Sequence, residues 1–163
     1  MKGLKIRKAT IKDLDVLNHI QTALLDDERG KYTMALPSEK KIDTMRGSRA
    51  KELLQSKDAV VMLAELDGQF VGGVYGEIQP VEDDVGWAKY TKKGYIGWGF
   101  VEPAYRKQGV AYELVQEVLR WFKLRNIKLM AVSIMHNNKA VQGLMKKFGF
   151  KEYIVDFRAV MNP

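Results

Sequence analysis

Apolar residues recur along the chain with two periods, and the switches between them mark out the elements. Residues 5–9 predict a first strand. Thr10 then offers an N-cap with Asp13 three positions on, as in a capping box. Leu14, Leu17, Ile20 and Leu24 follow at helical spacing, and this helix should end where Asp26-Asp27-Glu28 approaches Gly30. After a loop over 31–37, Ser38 can cap a second helix reaching residue 55. Its weak point is Gly47-Ser48 and its apolar face (Ile42, Met45, Leu53, Leu54) is sparse. Residues 59–66 predict a strand, Asp67-Gly68 the left-handed turn of a hairpin, and 69–79 the return strand. Gly72, Gly73 and Gly76 inside that strand predict a bulge or close backbone approach, and Pro80 stops it.

Residues 81–93 are irregular, with Glu82-Asp83-Asp84, Trp87 and Tyr90. Residues 94–101 read as a strand with Tyr95, Gly97, Gly99 and Val101 on one face and Ile96, Trp98 and Phe100 on the other. The strongest helical pattern comes next, with Val110, Leu114, Val115, Val118, Leu119 and Phe122 on one side and charges at 113, 117, 120 and 123 elsewhere. Residues 128–135 predict a buried strand. Asn137 or Asn138 caps a further helix with Val141, Leu144, Met145 and Phe148 inward, ended by Gly149. Residues 150–156 and 158–161 predict two closing strands.

Composition narrows the picture. One domain of 163 residues is long enough to bury a core without staples. With no cysteine, disulfides, thiolate catalysis and cysteine-based metal sites are excluded. His19 and His136 lack metal-ligand spacing, so no metal is expected. The basic N-terminus is followed by no hydrophobic segment of signal-peptide type, and no run approaches a membrane span, which assigns the protein to the cytoplasm without membrane contact. A net charge of +7 suits a polyanionic partner, but the cations are scattered and no nucleic-acid motif is present, so nucleic-acid binding is the least favoured reading.

The chemistry concentrates in residues 101–111. A strand end passes through Glu102-Pro103-Ala104-Tyr105 to Arg106-Lys107-Gln108-Gly109-Val110-Ala111 and into a helix. Unpaired N–H groups and the dipole at a helix start attract phosphate. The competing reading is an ordinary turn with solvated cations. Motifs for a P-loop, a nucleophile elbow, a zinc protease and a Rossmann dinucleotide site are absent.

Residues 106–111 carry Arg, two variable residues, Gly, one variable residue and Ala, and this run resembles the phosphate loop of the GCN5-related N-acetyltransferase (GNAT) superfamily. Residues 100–105 are similar to the strand end that precedes that loop, and Asn137-Asn138-Lys139-Ala140 with residues 144–150 to the family's asparagine-helix-Gly-Phe segment. Element order agrees over essentially the whole chain. The resemblance implies an α/β (α+β) fold, with a mixed, mostly antiparallel twisted sheet of about seven strands flanked by about four helices. It also implies acetyl-CoA as cosubstrate and direct acetyl transfer to a primary amine of a small molecule, an amino-acid derivative or a protein N-terminus. Arg106, Lys107, Gln108, Gly109, Val110, Ala111 and Tyr112 would then hold the pyrophosphate, Phe100 and Val101 the pantetheine arm, and Asn137 or Asn138 would also touch the cofactor.

The catalytic side departs from the pattern. Where many relatives carry a tyrosine that protonates the departing thiolate, this chain has Met145, or Leu144 in the alternative register, and neither can donate. Tyr95 falls where some relatives place a base; the competing reading is a packed aromatic with a satisfied hydroxyl. His136 is a second candidate base, against a surface or capping role. Glu77 and Glu102 are weaker, with Glu102 expected to face solvent. The acidic clusters at 26–28 and 82–84 would suit a cationic acceptor. A CoA-binding regulatory module with little catalysis is the alternative function, and a homodimer is left open.

Overall fold

The structure, a computed structural model, describes residues 2–29, 48–81 and 89–153, with the side chains of 25–29 excepted. Five strands form one sheet in sequence order: β1 (Leu4–Lys8), β2 (Ala59–Leu66), β3 (Gln69–Pro80), β4 (Lys92–Val101) and β5 (Leu129–Val132). The first three pairings are antiparallel and β4–β5 is parallel. This is the mixed, mostly antiparallel sheet that was expected, with five strands among the described residues. Residues 150–153 form no strand, and 154–163, where the remaining expected strand residues fall, lie outside the described set.

Two helical layers enclose the sheet. On one face lie α1 (Leu14–Arg29) and α2 (residues 48–55), which bury Leu17, Ile20, Ala50 and Leu53 against Val61, Leu63 and Phe100. On the other lie α3 (Val110–Leu124) and α4 (Lys139–Lys147), which bury Leu114, Val118, Phe122 and Met145 against Val60, Val74 and Ile96. The capping box forms: the Thr10 amide donates to Asp13 Oδ2 at 2.7 Å at the head of a single 3-10 turn that runs into α1. Arg7 of β1 grips the same carboxylate at 2.7 and 2.9 Å, so the strand and the helix start are tied together. Asp67 (φ 51°) and Gly68 (φ 83°) make the predicted hairpin turn. Of the second expected helix, only 48–55 falls among the described residues. No described helix is long and apolar enough to cross a membrane.

The sheet lets α3 come unusually near. A Cβ on Gly76 would lie 2.5 Å from Val118 Cγ1, and one on Gly94 would lie 2.9 Å from Phe122. The Phe122 ring, fully buried, occupies the space that side chains on β3 and β4 would fill. Trp121 is buried too, with the Arg125 guanidinium 3.9 Å from its ring centroid.

β4 contains a bulge that the alternating pattern did not anticipate. Val74 pairs with Gly99, but Gly76 pairs with Ile96, so three steps on β4 oppose two on β3. The extra residue resets the alternation. Tyr95, paired with Glu77, shares the α1/α2 face with Trp98 and Phe100, while Ile96 and Val101 pack toward α3. The expected grouping of Tyr95 with Gly99 and Val101 is therefore corrected.

Candidate active site

The parallel pairing of β4 with β5 ends at Ile96–Val132, while β4 continues to Val101. Beyond that last pair no ladder bond joins the two strands. Among the described residues, the β5-side edge of β4 is left without a strand partner over 97–101, a wedge toward the C-terminal end of β4. The Glu102 amide donates to Val71 O on β3 at 2.9 Å. By the alternation of an antiparallel ladder, Phe100 then directs its backbone to Gly73 and Val101 directs its backbone into the wedge.

Residues 102–112 close the open end. Pro103–Tyr105 is one 3-10 turn, with the Tyr105 amide donating to Glu102 O at 2.8 Å. Arg106 is extended and its Nε donates back to the Val101 carbonyl at 3.0 Å. Gln108 Nε2 donates to Ala104 O at 2.8 Å. Lys107 (φ 62°) and Gly109 (φ 91°) both turn left-handed, which costs a lysine about 1 kcal/mol and a glycine little. A Cβ on Gly109 would meet nothing within 4 Å, so the space above the loop is open. Val110 is buried and starts α3, and the first N–H groups of that helix have no intrahelical acceptor. Ala111 is half-buried. Tyr112 is exposed and stacks on Phe148, centroids 4.6 Å apart, which joins the head of α3 to α4. An exposed cation pair, an open glycine and a helix start, positioned by the loop's own hydrogen bonds, are the parts from which an anion site can be built.

Asn138 is the N-cap of α4, its Oδ1 accepting from the Val141 amide at 3.2 Å. Asn137 and His136 occupy the exposed turn before it, because β5 ends at Val132 rather than at 135. The His136 carbonyl accepts from Gln142 Nε2 at 2.8 Å.

On the α1/α2 face, polar and aromatic groups converge from three elements. Arg49 of α2 bonds Glu77 of β3 at 2.7 Å, and Gln79 Nε2 donates to the same carboxylate oxygen at 3.0 Å. Tyr75 lies beside them, its ring 5.3 Å from Trp98 and 6.0 Å from the Arg49 guanidinium. Burial pushes the Tyr75 phenol up, and the neighbouring Arg49 offsets only part of that. Burial pulls the Arg49 guanidinium down, but its bond to Glu77 more than restores it. Tyr95, half-buried, stands across the strand pair from Glu77. Further along, His19 Nε2 and Glu102 Oε1 are 2.8 Å apart, with the His19 ring edge-on to Phe70 and Phe100. Glu102 thus bridges to α1 instead of facing solvent. Among the described residues no three acidic or histidine side chains are grouped to hold a metal ion. A cavity of about 260 Å³ lined by Lys89, Lys92, Arg125 and Lys128 lies at the far end of β4 and belongs to neither region.

Residues 21–150 match the family model described as Acetyltransferase (GNAT) family. The chain belongs to this family of N-acetyltransferases. No curated protein matches the chain. Solved structures share its fold. A predicted acetyltransferase with acetyl-CoA from Clostridium acetobutylicum is 24% identical, with 98% of this chain and 96% of that chain covered and a TM-score of 0.76. The aminoglycoside N-acetyltransferase AAC(6')-Iy in complex with CoA is 22% identical, with 96% and 94% covered and a TM-score of 0.74. A GCN5-related N-acetyltransferase from Ralstonia eutropha JMP134 is 17% identical, with 97% and 99% covered and a TM-score of 0.75.

At the two α4 positions where the resemblance would place a tyrosine, Met145 is buried in the α3 core and Leu144 is half-buried beside it, both apolar. Sequence reasoning overlooked Arg49, Tyr75, Trp98 and His19. No local signal marked them, because the Tyr75 approach to Gly97 and Trp98 depends on the bulged β3–β4 register.

Proposed function

We propose that this chain transfers acetyl from acetyl-CoA to a primary amine. The observation that carries the reading is the wedge between β4 and β5 with an anion cradle across its open end. Arg106, Lys107 and the amides from Gln108 to Tyr112 receive the pyrophosphate, and Gly109 keeps that space clear. Val101 offers its backbone to the pantetheine arm, and Phe100, locked to β3 and buried under α1, fixes the strand that does so. Asn138 holds the start of α4 beside the wedge, with Asn137 next to it. Acetyl-CoA supplies the activated acyl group; the chain orients it and admits the amine from the α1/α2 face.

The amine must be neutral to attack, so its proton needs an acceptor. Tyr95, on the α1/α2 face opposite Glu77, is the favoured group for relaying that proton. His136, on the β5 side of the wedge, is the alternative. Glu77 is already engaged by Arg49 and Gln79. AAC(6')-Iy is an aminoglycoside N-acetyltransferase, and an amine-rich acceptor of that kind agrees with the expected cationic acceptor. The acidic groups invoked for it, at 26–28 and 82–84, lie outside the described side chains.

Incubating the protein with acetyl-CoA and a panel of polyamines, amino-acid amides and N-terminal peptides, with mass detection, tests the proposal. An acetylated amine is expected. Tight CoA binding with no product on any amine would instead support the regulatory module.

A further inference from the structure

We infer that the Tyr75 hydroxyl is the hydrogen-bond donor to the departing sulfur, taking from β3 the role that Met145 and Leu144 of α4 cannot fill; this rests on the acetyl-CoA reading above. The closed end of the wedge is at Ile96–Val132, and Gly97 is the first β4 residue past it. An extended ligand that enters at the 106–112 loop and tracks β4 inward from Val101 must end there, four residues and about 13 Å further on. At that point the bulge puts Gly97 beneath Tyr75: a Cβ at 97 would fall inside the phenol ring and against its hydroxyl. Only glycine leaves room for the ring. Trp98, with its ring centroid 5.3 Å away, and the Arg49 guanidinium, 6.0 Å from the ring centroid, pack against it.

The charged and titratable groups facing the phenol are Arg49 from α2, Glu77 from β3 and Tyr95 from β4. Glu77 is an acceptor already bonded by Arg49 and Gln79, so it cannot donate. Burial, only partly offset by Arg49, keeps the phenol protonated through neutral pH, which suits a donor and not a base. In the step itself, the amine nitrogen forms a bond to the acyl carbon, and the C–S bond breaks with its electron pair going to sulfur. The amine's proton leaves to water through the relay. Tyr75 keeps its proton and stabilises the thiolate by the hydrogen bond alone.

Tyr75→Phe retains the ring over Gly97 and deletes only the hydroxyl. The thiol of CoA bound to the full chain is titrated by thiolate ultraviolet absorbance, which needs no acceptor. In Tyr75→Phe, CoA affinity should be unchanged, the bound thiol should titrate roughly one pH unit higher than in wild type, and kcat should fall on the order of 10²-fold with little change in acceptor KM. Gly97→Ala, which drives the ring aside, should raise the thiol titration similarly and add little in the Tyr75→Phe background; it also serves if the first variant folds poorly. An unmoved thiol titration in both variants overturns the inference. No CoA binding by wild type overturns both readings. A shifted thiol without acetylation of any amine leaves the Tyr75 contact standing and removes the acetyltransferase.

Discussion

Replacing Gly76 by alanine asks whether the closeness of α3 to the sheet is what holds the cofactor loop in place. The added Cβ would sit 2.5 Å from Val118 Cγ1 and 2.8 Å from Phe122 Cζ, both on side chains with no exposure, so neither neighbour can turn toward solvent. Overpacking of this kind costs about 1–3 kcal/mol. Removing a glycine from a strand returns about 0.5–1 kcal/mol through the unfolded chain. The difference spans roughly 0–2.5 kcal/mol; because neither neighbour can yield, its upper part, about 1–2.5 kcal/mol, is expected. At about 2–4 °C per kcal/mol for a chain of this size the melting temperature should fall by roughly 2–10 °C. Thermal melts monitored by circular dichroism, with urea midpoints at unchanged slope, measure it. Phe122→Leu shortens the ring that is struck. In a double-mutant cycle it should therefore recover roughly 0.5–2 kcal/mol of the Gly76→Ala loss. A Gly76→Ala protein as stable as wild type, or strictly additive effects of the two substitutions, would refute the steric account.

Three further outcomes are expected. Gly109→Trp or Arg106→Glu should abolish CoA binding in calorimetry while leaving the circular dichroism spectrum unchanged; retained micromolar affinity would put the phosphate site elsewhere. Asp13 is held down to about 2, first by its bond to Arg7 and then against burial by Thr10, from an ordinary 3.8. Its stabilisation is therefore present above about pH 4 and lost as pH falls toward 2. Allowing for screening of the half-exposed Arg7, Asp13→Asn should cost about 1–2 kcal/mol at pH 7 and almost nothing near pH 2, and a gap that does not close with acid would contradict this. Arg49→Met leaves Glu77 with Gln79 alone and should lower stability by about 1 kcal/mol in urea unfolding, the pair being partly exposed; no change would show that the ion pair contributes nothing.

The features that the chain disclosed in advance are local. The capping box at Thr10–Asp13, the Asp67-Gly68 turn and the apolar stripe of α3 each depend on residues a few positions apart, and each formed where expected. The features that stayed hidden depend on partners far away in sequence. The β4 bulge is fixed by which β3 residue faces Gly99 and which faces Ile96, and nothing within residues 94–101 records that choice. Arg49, Tyr75, Glu77 and Trp98 meet from separate elements and share no spacing. Glu102 was expected to face solvent because its partner, His19, is 83 positions away. The apolar run over 128–135 is longer than β5 (Leu129–Val132) because it continues past the point where pairing with β4 stops.

The bulge in β4 also makes this site sensitive to counting rather than to chemistry. Its single extra residue lets Tyr95 and Trp98, three positions apart, look toward the same face. Deleting one residue at 97 or 98 would bring the remainder of the strand back into simple alternation with Tyr95. Phe100 would stay on the α1/α2 face and Val101 on the α3 face, but either the glycine under the Tyr75 ring or the indole beside it would be lost. A one-residue deletion at that point would leave inside and outside as they are and take away the seat of the Tyr75 ring in one event.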